Sequence, residues 1–213
     1  MTTVNDDATP TGMLHLRTWL PAELHDRFSS WCDTHHLEQL AVPGFRRVRR
    51  FSLVRSELAE PPRYLTVYDL DRLDVLEGDD YDRYLRRSTG LPDFLQGRLR
   101  AARSDACLVA GVPAIDGLVP GGAGLAHLFV ADGPDLTDWF AKHGLAAVNA
   151  SGGTSARLLR TASGEQIVVV ELPDVPDALD PASLPRPDDS TDGGGDVPGW
   201  GLYRLDFVAT ADS

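Results

Sequence analysis

Apolar and polar positions alternate through MLHLRTW at residues 13–19, the pattern of a half-buried strand. After Pro21, a residue suited to the first turn of a helix, the period changes. Leu24, Phe28, Trp31 and His35 recur at about 100° per residue and predict a helix, which Pro43-Gly44 ends. Residues 45–54 and 63–70, rich in β-branched and aromatic side chains, predict two strands around Pro61-Pro62. Residues 73–87 predict a second helix, weakened at Gly78. A short helix at 94–102 then leads to a strand at 106–112. The order is β-α-β-β-α-β, that of the ferredoxin-like unit.

The second half repeats the order. Strands are predicted at 125–131, 155–161, 166–172 and 199–209, with a helix at 136–147. The segment 175–198, rich in Asp, Pro and Gly, reads as a loop or partly disordered stretch. It stands where a second helix is due, reduced at most to a turn near Ala178. Trp31 and Trp139, His35 and His143, and Leu37 and Leu145 are each 108 residues apart, which favours a duplication. The expected organisation is a flexible N-terminus at 1–12, a first ferredoxin-like unit at 13–115 and a second, degenerate unit at 121–213. The expected fold class is α+β: two such units in tandem forming an intramolecular α/β barrel. Their sheets would pack face to face, giving a monomer with an internal pseudo-twofold axis.

Composition narrows the function. A chain of 213 residues, 42% hydrophobic and 24% charged, can build a sizeable core. Its net charge of −12 argues against a nucleic-acid partner, which needs a basic surface. No apolar run approaches the roughly 20 residues of a membrane span. The start, MTTVNDDATPTG, has no signal-peptide core. Two cysteines, Cys32 and Cys107, make no disulfide framework, so a cytoplasmic setting is expected. His35 and His36 are adjacent and diverge, and no metal site is read from them. Gly121-Gly122-Ala123-Gly124 precedes a strand, so no phosphate cradle is read there either.

The segment Trp31 to Phe51 resembles the EthD-like group of the dimeric α/β-barrel superfamily. That group commonly runs W-Y-x-x-E-H-L-P-E-L, then P-G-F, then an R-R-Y-like strand. Here Trp31, His36-Leu37, Glu38, Leu40, Pro43-Gly44-Phe45 and Arg49-Arg50-Phe51 match. Cys32, His35 and Gln39 depart, and Gly144 stands at the place of His36 in the second half. The resemblance implies a small-molecule pocket worked by the first half, without a cofactor. His36 would be general base, and Tyr68 would steady an oxyanion. From the strand pattern, His15 and Arg17 share one face of the first strand, and Tyr64, Thr66 and Tyr68 one face of the third; if those faces meet under the helix, they would line the substrate site with Trp31 and His36. Alternation sends Arg47 and Arg49 to one side of the second strand and Arg46 and Arg50 to the other, and Arg49 is the one expected at the substrate. Two arguments conflict over the imidazole: periodicity favours His35, the motif register His36. An activity rising through a pKa near 6.5 is expected of a neutral His base. Cys32, four residues before His36, is a small apolar residue or a nucleophile.

The implied reaction is a cofactor-independent cyclisation, isomerisation or lyase step on a small aromatic or polyketide-like metabolite, in natural-product biosynthesis or aromatic catabolism. The alternatives are a cofactor-free monooxygenase of a similar substrate and a non-catalytic small-molecule-binding protein.

Overall fold

In the computed structural model, which describes residues 11–88, 90–111, 123–131, 135–153, 155–175, 179–187 and 199–211, the alternation in MLHLRTW becomes strand β1, Gly12–Trp19. A 3-10 turn leads into helix α1, His25–Leu40, and then strands β2, Phe45–Ser56, and β3, Tyr64–Leu70. The predicted second helix breaks at Gly78, whose extended backbone separates a 3-10 turn, Leu73–Glu77, from α2, Asp79–Arg87. The short helix expected at 94–102 is only one 3-10 turn, Asp93–Leu95. Strand β4 starts earlier than predicted, at Arg100, and runs to Gly111, because it pairs with β1 on one side from that residue on. The second half gives β5, Gly124–Val130, α3, Thr137–Ser151, β6, Ser155–Thr161, β7, Gln166–Leu172, and β8, Trp200–Thr210.

The eight strands close into one antiparallel barrel in the order β1-β3-β2-β8-β5-β7-β6-β4. This corrects the expected tandem of ferredoxin-like α/β units packed sheet on sheet. The pairs β2–β8 and β4–β6 join the halves through backbone hydrogen bonds. Helices are few, three α-helices among the described residues. The physical reason is edge satisfaction: β2 and β8 are long, and pairing them leaves neither with an open row of N–H and C=O groups.

Closure divides the side chains by parity. Met13, Leu65, Val67, Phe51, Leu125, Leu159, Ile167 and Val169 fill the barrel interior. The opposite faces pack outward, under α1 and α2 around Val48, Tyr68 and Leu70, and under α3 around Leu128, Val168 and Val170. Every residue of β3 and β7 is buried, because both faces are covered.

The expectation of an unpacked loop at 175–198 is corrected for its described part. Val175, Leu179 and Leu184 are buried against the α3 face. The indole N–H of Trp200 donates to the Pro185 carbonyl at 2.9 Å, and that of Trp139 to the Arg186 carbonyl at 2.8 Å. This strap covers apolar surface where the second helix was due. The remaining part of that loop, with the turn near Ala178, lies outside the described residues, as does the expected flexible segment 1–10.

Candidate functional site

Helix α1 buries Phe28, Cys32, His36 and Leu40, a row at i, i+4 spacing that lies against the barrel wall. The row shares Phe28 with the stripe that periodicity picked out and departs from it by one residue beyond that point, at Cys32 and His36. His36 therefore faces the barrel, while Trp31 and His35 sit half-buried at the rim. There they stack with ring centroids 4.7 Å apart, and the Tyr84 hydroxyl reaches the His35 imidazole at 3.3 Å. Beneath α1, β3 turns Tyr64 and Tyr68 outward. Tyr64 packs near the start of the helix, 5.0 Å from Phe28. Tyr68 lies under His36, with its hydroxyl 2.6 Å from Nδ1 in a hydrogen bond whose direction depends on the imidazole tautomer. The two side chains are 3% and 0% exposed, so this contact is sealed from bulk water.

His36 Nε2 has no partner among the described residues. Burial, with the charge of Arg50 and then His35 adding to it, lowers the His36 pKa to about 3. The imidazole is thus neutral at neutral pH, and the expected rise of activity near 6.5 is not a property of this group. Burial pushes the Cys32 thiol up to about 12, which rules out a resting thiolate nucleophile. Burial likewise holds the Tyr68 hydroxyl protonated, well above its ordinary pKa.

Arg50 flanks the pair. It donates to Asp33 Oδ1 at 2.6 Å and to the Ser29 carbonyl at 3.3 Å, while its Nε is buried without a partner. The half-buried Phe207 of β8 stands between the two groups, its ring 5.7 Å from His36 and 5.6 Å from the Arg50 guanidinium. Strand alternation already placed Arg50 opposite Arg49. The motif covers both arginines, and the one expected at the substrate is Arg49; parity is the signal that separates the two.

Three expected site residues lie elsewhere. His15, Arg17 and Arg49 point into the barrel, on the far side of the wall from His36. The sequence reading placed His15 and Arg17 on one face of β1 correctly, but joined that face to the wrong face of β3. Arg49 is bound in a closed ionic ring. It meets Asp69 at 2.9 Å and Glu171 at 2.5 Å, and Arg157 meets the same two carboxylates at 3.2 and 3.0 Å. Burial pushes the Asp69 carboxyl up, but Arg49, Arg157 and Arg47 outweigh it and hold it well below the usual carboxylate range.

A cavity of about 640 Å³ opens at the C-terminal end of α1, lined by Leu37, Leu40, Val42, Phe45, the Arg46–Asp71 ion pair and Thr210 among others. Its lining includes Leu37, the residue after His36, but neither His36 nor Tyr68. In the second half, Gly144 is buried beneath Phe140 and the outward face of β7 carries Val170, so no His–Tyr pair forms there. Among the described residues, no three or more His, Cys, Asp or Glu gather as metal ligands, and no helix is long and apolar enough to cross a membrane.

The architecture has solved counterparts. An anthrone oxidase-like protein superposes with a TM-score of 0.62 at 12% identity, over 98% of this chain and 95% of that one. A protein of Lactobacillus acidophilus NCFM, provisionally named a monooxygenase, gives 0.53 at 13% identity, over 94% and 97%. Another so named, from Fusobacterium nucleatum subsp. nucleatum ATCC 25586, gives 0.52 at 7% identity, over 94% of each chain. At such identities the likeness is one of fold. No family model and no curated protein matches the chain.

Proposed function

We infer that the chain is a cofactor-free monooxygenase of a small phenolic or enolisable aromatic compound, with the His36–Tyr68 pair under α1 as the centre of its active site. The observation that carries this reading is the buried His36–Tyr68 pair, with His36 Nε2 unpartnered and the Arg50 charge close enough to lower the His36 pKa. When Nδ1–H donates to the Tyr68 oxygen, Nε2 presents a lone pair that can take a proton from an activated C–H or O–H. The Arg50 guanidinium then steadies the oxyanion, and the anion is the electron-rich species that reacts with dioxygen. For a methylene flanked by aromatic rings the balance is CH2 + O2 → C=O + H2O. Trp31 and Phe207 offer flat apolar surface to such a ring system. The naming of the structural neighbours as oxidase-like and monooxygenase-type proteins supports the choice of oxygen chemistry.

The EthD-like assignment and the cyclase, isomerase or lyase reading rest on the same acid–base pair and need no oxygen. Oxygen uptake with anthrones and related phenols, compared with product yield under argon, separates them. Equal yields without oxygen would sink the monooxygenase reading. The near-complete burial of His36 favours a second reading, a binding protein that does no chemistry. Saturable ligand binding with no turnover in air would establish it.

A further inference from the structure

His15 and His127 hold the same place in two strands, the fourth residue of Gly12–Trp19 and of Gly124–Val130. β1 and β5 stand four places apart in the ring of eight, so their side chains can meet only across the barrel interior. They do meet there, with ring centroids 4.9 Å apart and planes 13° from parallel. Both imidazoles are buried, at 0% and 3% exposure. Tyr203 sets its ring edge-on to His127 at 6.1 Å, but its hydroxyl donates to the Pro62 carbonyl. Nδ1 and Nε2 of His15 and Nε2 of His127 have no hydrogen-bond partner among the described residues.

A neutral imidazole carries one N–H donor and one lone pair. His15 leaves both unmatched, and because its two ring nitrogens point apart a single small ligand can meet only one of them. The interior neighbours Met13, Val67, Leu125 and Val169 can meet neither. Ser104, opposite His15 on β4, donates to Glu165 and accepts from Arg17. A metal cation is disfavoured by the fixed charge of Arg17, which lies two residues along the same face with its guanidinium 3.4 Å from the Phe129 ring centroid. An anion would match the N–H groups and leave the lone pairs bare. Water matches both.

We propose that the barrel interior contains a water-binding site, in which one buried water molecule bridges His15 to Nε2 of His127. The pair is then neither catalytic nor merely packed. The polar compartment the water completes is separated by the barrel wall from the His36–Tyr68 pair under α1.

The test is a crystal structure of the full chain at about 1.5 Å, grown with bromide as the only halide. The expected result is a density peak within about 2.7–3.2 Å of a His15 ring nitrogen and of His127 Nε2, without anomalous signal. An absent peak overturns the proposal, and so does one that scatters as bromide or as a metal. In the double variant His15→Leu, His127→Leu the peak should vanish, and its persistence in the folded variant would also count against the site. If that variant does not fold, the wild-type peak decides, together with nuclear Overhauser contacts from the His15 and His127 ring protons to long-lived water.

Discussion

The hydroxyl of Tyr68 and Nδ1 of His36 share a hydrogen bond of 2.6 Å that fastens the C-terminal half of α1 to the outer wall of the barrel. It is both a contact of the fold and the proposed proton-handling pair, so its two partners should respond differently to mutation. His36→Gln removes the base and should lower kcat/KM by about 10²- to 10⁴-fold. Tyr68→Phe keeps the imidazole but strands a second ring nitrogen, with a stability loss of about 1–3 kcal/mol and a smaller fall in activity. Steady-state oxygen uptake beside urea unfolding of both variants checks this. Equal loss of activity in both, with no change in stability, would contradict it.

The buried imidazoles set the response to acid. His36 and His127 are each lowered to about 3, chiefly by burial, and His15 is lowered too. Above pH 6.5 these groups are neutral in the folded and unfolded states alike and contribute no pH dependence. As pH falls from 6.5 towards 3 the unfolded chain takes up protons that the folded chain refuses, so stability drops. Each such group adds at most about 1.4 kcal/mol per pH unit to the slope. Denaturation midpoints at pH 7, 6, 5 and 4 should fall progressively, and His127→Leu should flatten the slope by about one proton. A stability independent of pH from 7 to 4 would show that these histidines are not buried in solution.

The ring of Arg49, Asp69, Arg157 and Glu171 ties β2, β3, β6 and β7 together inside the barrel. Removing one charge leaves the others buried and unbalanced. Glu171→Gln should therefore lower stability by about 3–5 kcal/mol, and Arg157→Met combined with Glu171→Met should recover much of that. Thermal unfolding of the three proteins reads the difference. A single variant as stable as the parent would mean that water reaches the ring.

Strand order along the chain, the main helix and the outward face of β3 were legible, because periodicity reports what one element buries. Closure was not. Nothing in the alternation of FRRVRRF or WGLYRLDF says that β2 and β8 will pair with each other, since a paired edge and an open one read alike. The same gap misplaced His15 and Arg17: their shared face was clear, but which face of β3 it joins depends on the curvature of the whole sheet. His36 was found by motif register against the stripe, because α1 rests on its 28-32-36-40 row. The segment after β7 was misread because its sparse Leu179 and Leu184 are few but all used.

The strap therefore carries a prediction opposite to that of a dispensable loop. Leu184 is 3% exposed in the α3-side core, and Pro185 and Arg186 accept the two indole hydrogen bonds. Leu184→Ala should destabilise by about 2–4 kcal/mol, and deleting residues 183–195 should lower the melting temperature by several degrees or more. Calorimetry settles it, since an unchanged melting temperature in the deletion would mean that the strap is ornamental.

The two adjacent arginines of β2 give the sharpest comparison. Arg49 is held by two carboxylates inside the barrel. Arg50, on the opposite face, is anchored by Asp33 and Ser29 with its Nε–H unpartnered near His36. Arg49→Met breaks the ionic ring and should act on folding, with a large drop in melting temperature and normal kinetics in whatever fraction folds. Arg50→Met leaves the ring intact and should act on the reaction, lowering kcat/KM by about 10- to 100-fold, the loss of one charge-assisted hydrogen bond of about 1.5–3 kcal/mol. It also removes the positive charge that lowers the His36 pKa, so the His36 resonance should titrate at higher pH in this variant. If Arg50→Met instead unfolds the chain while Arg49→Met spares folding and lowers activity, Arg49 is the arginine that meets the substrate and the assignment of the two faces of β2 is overturned.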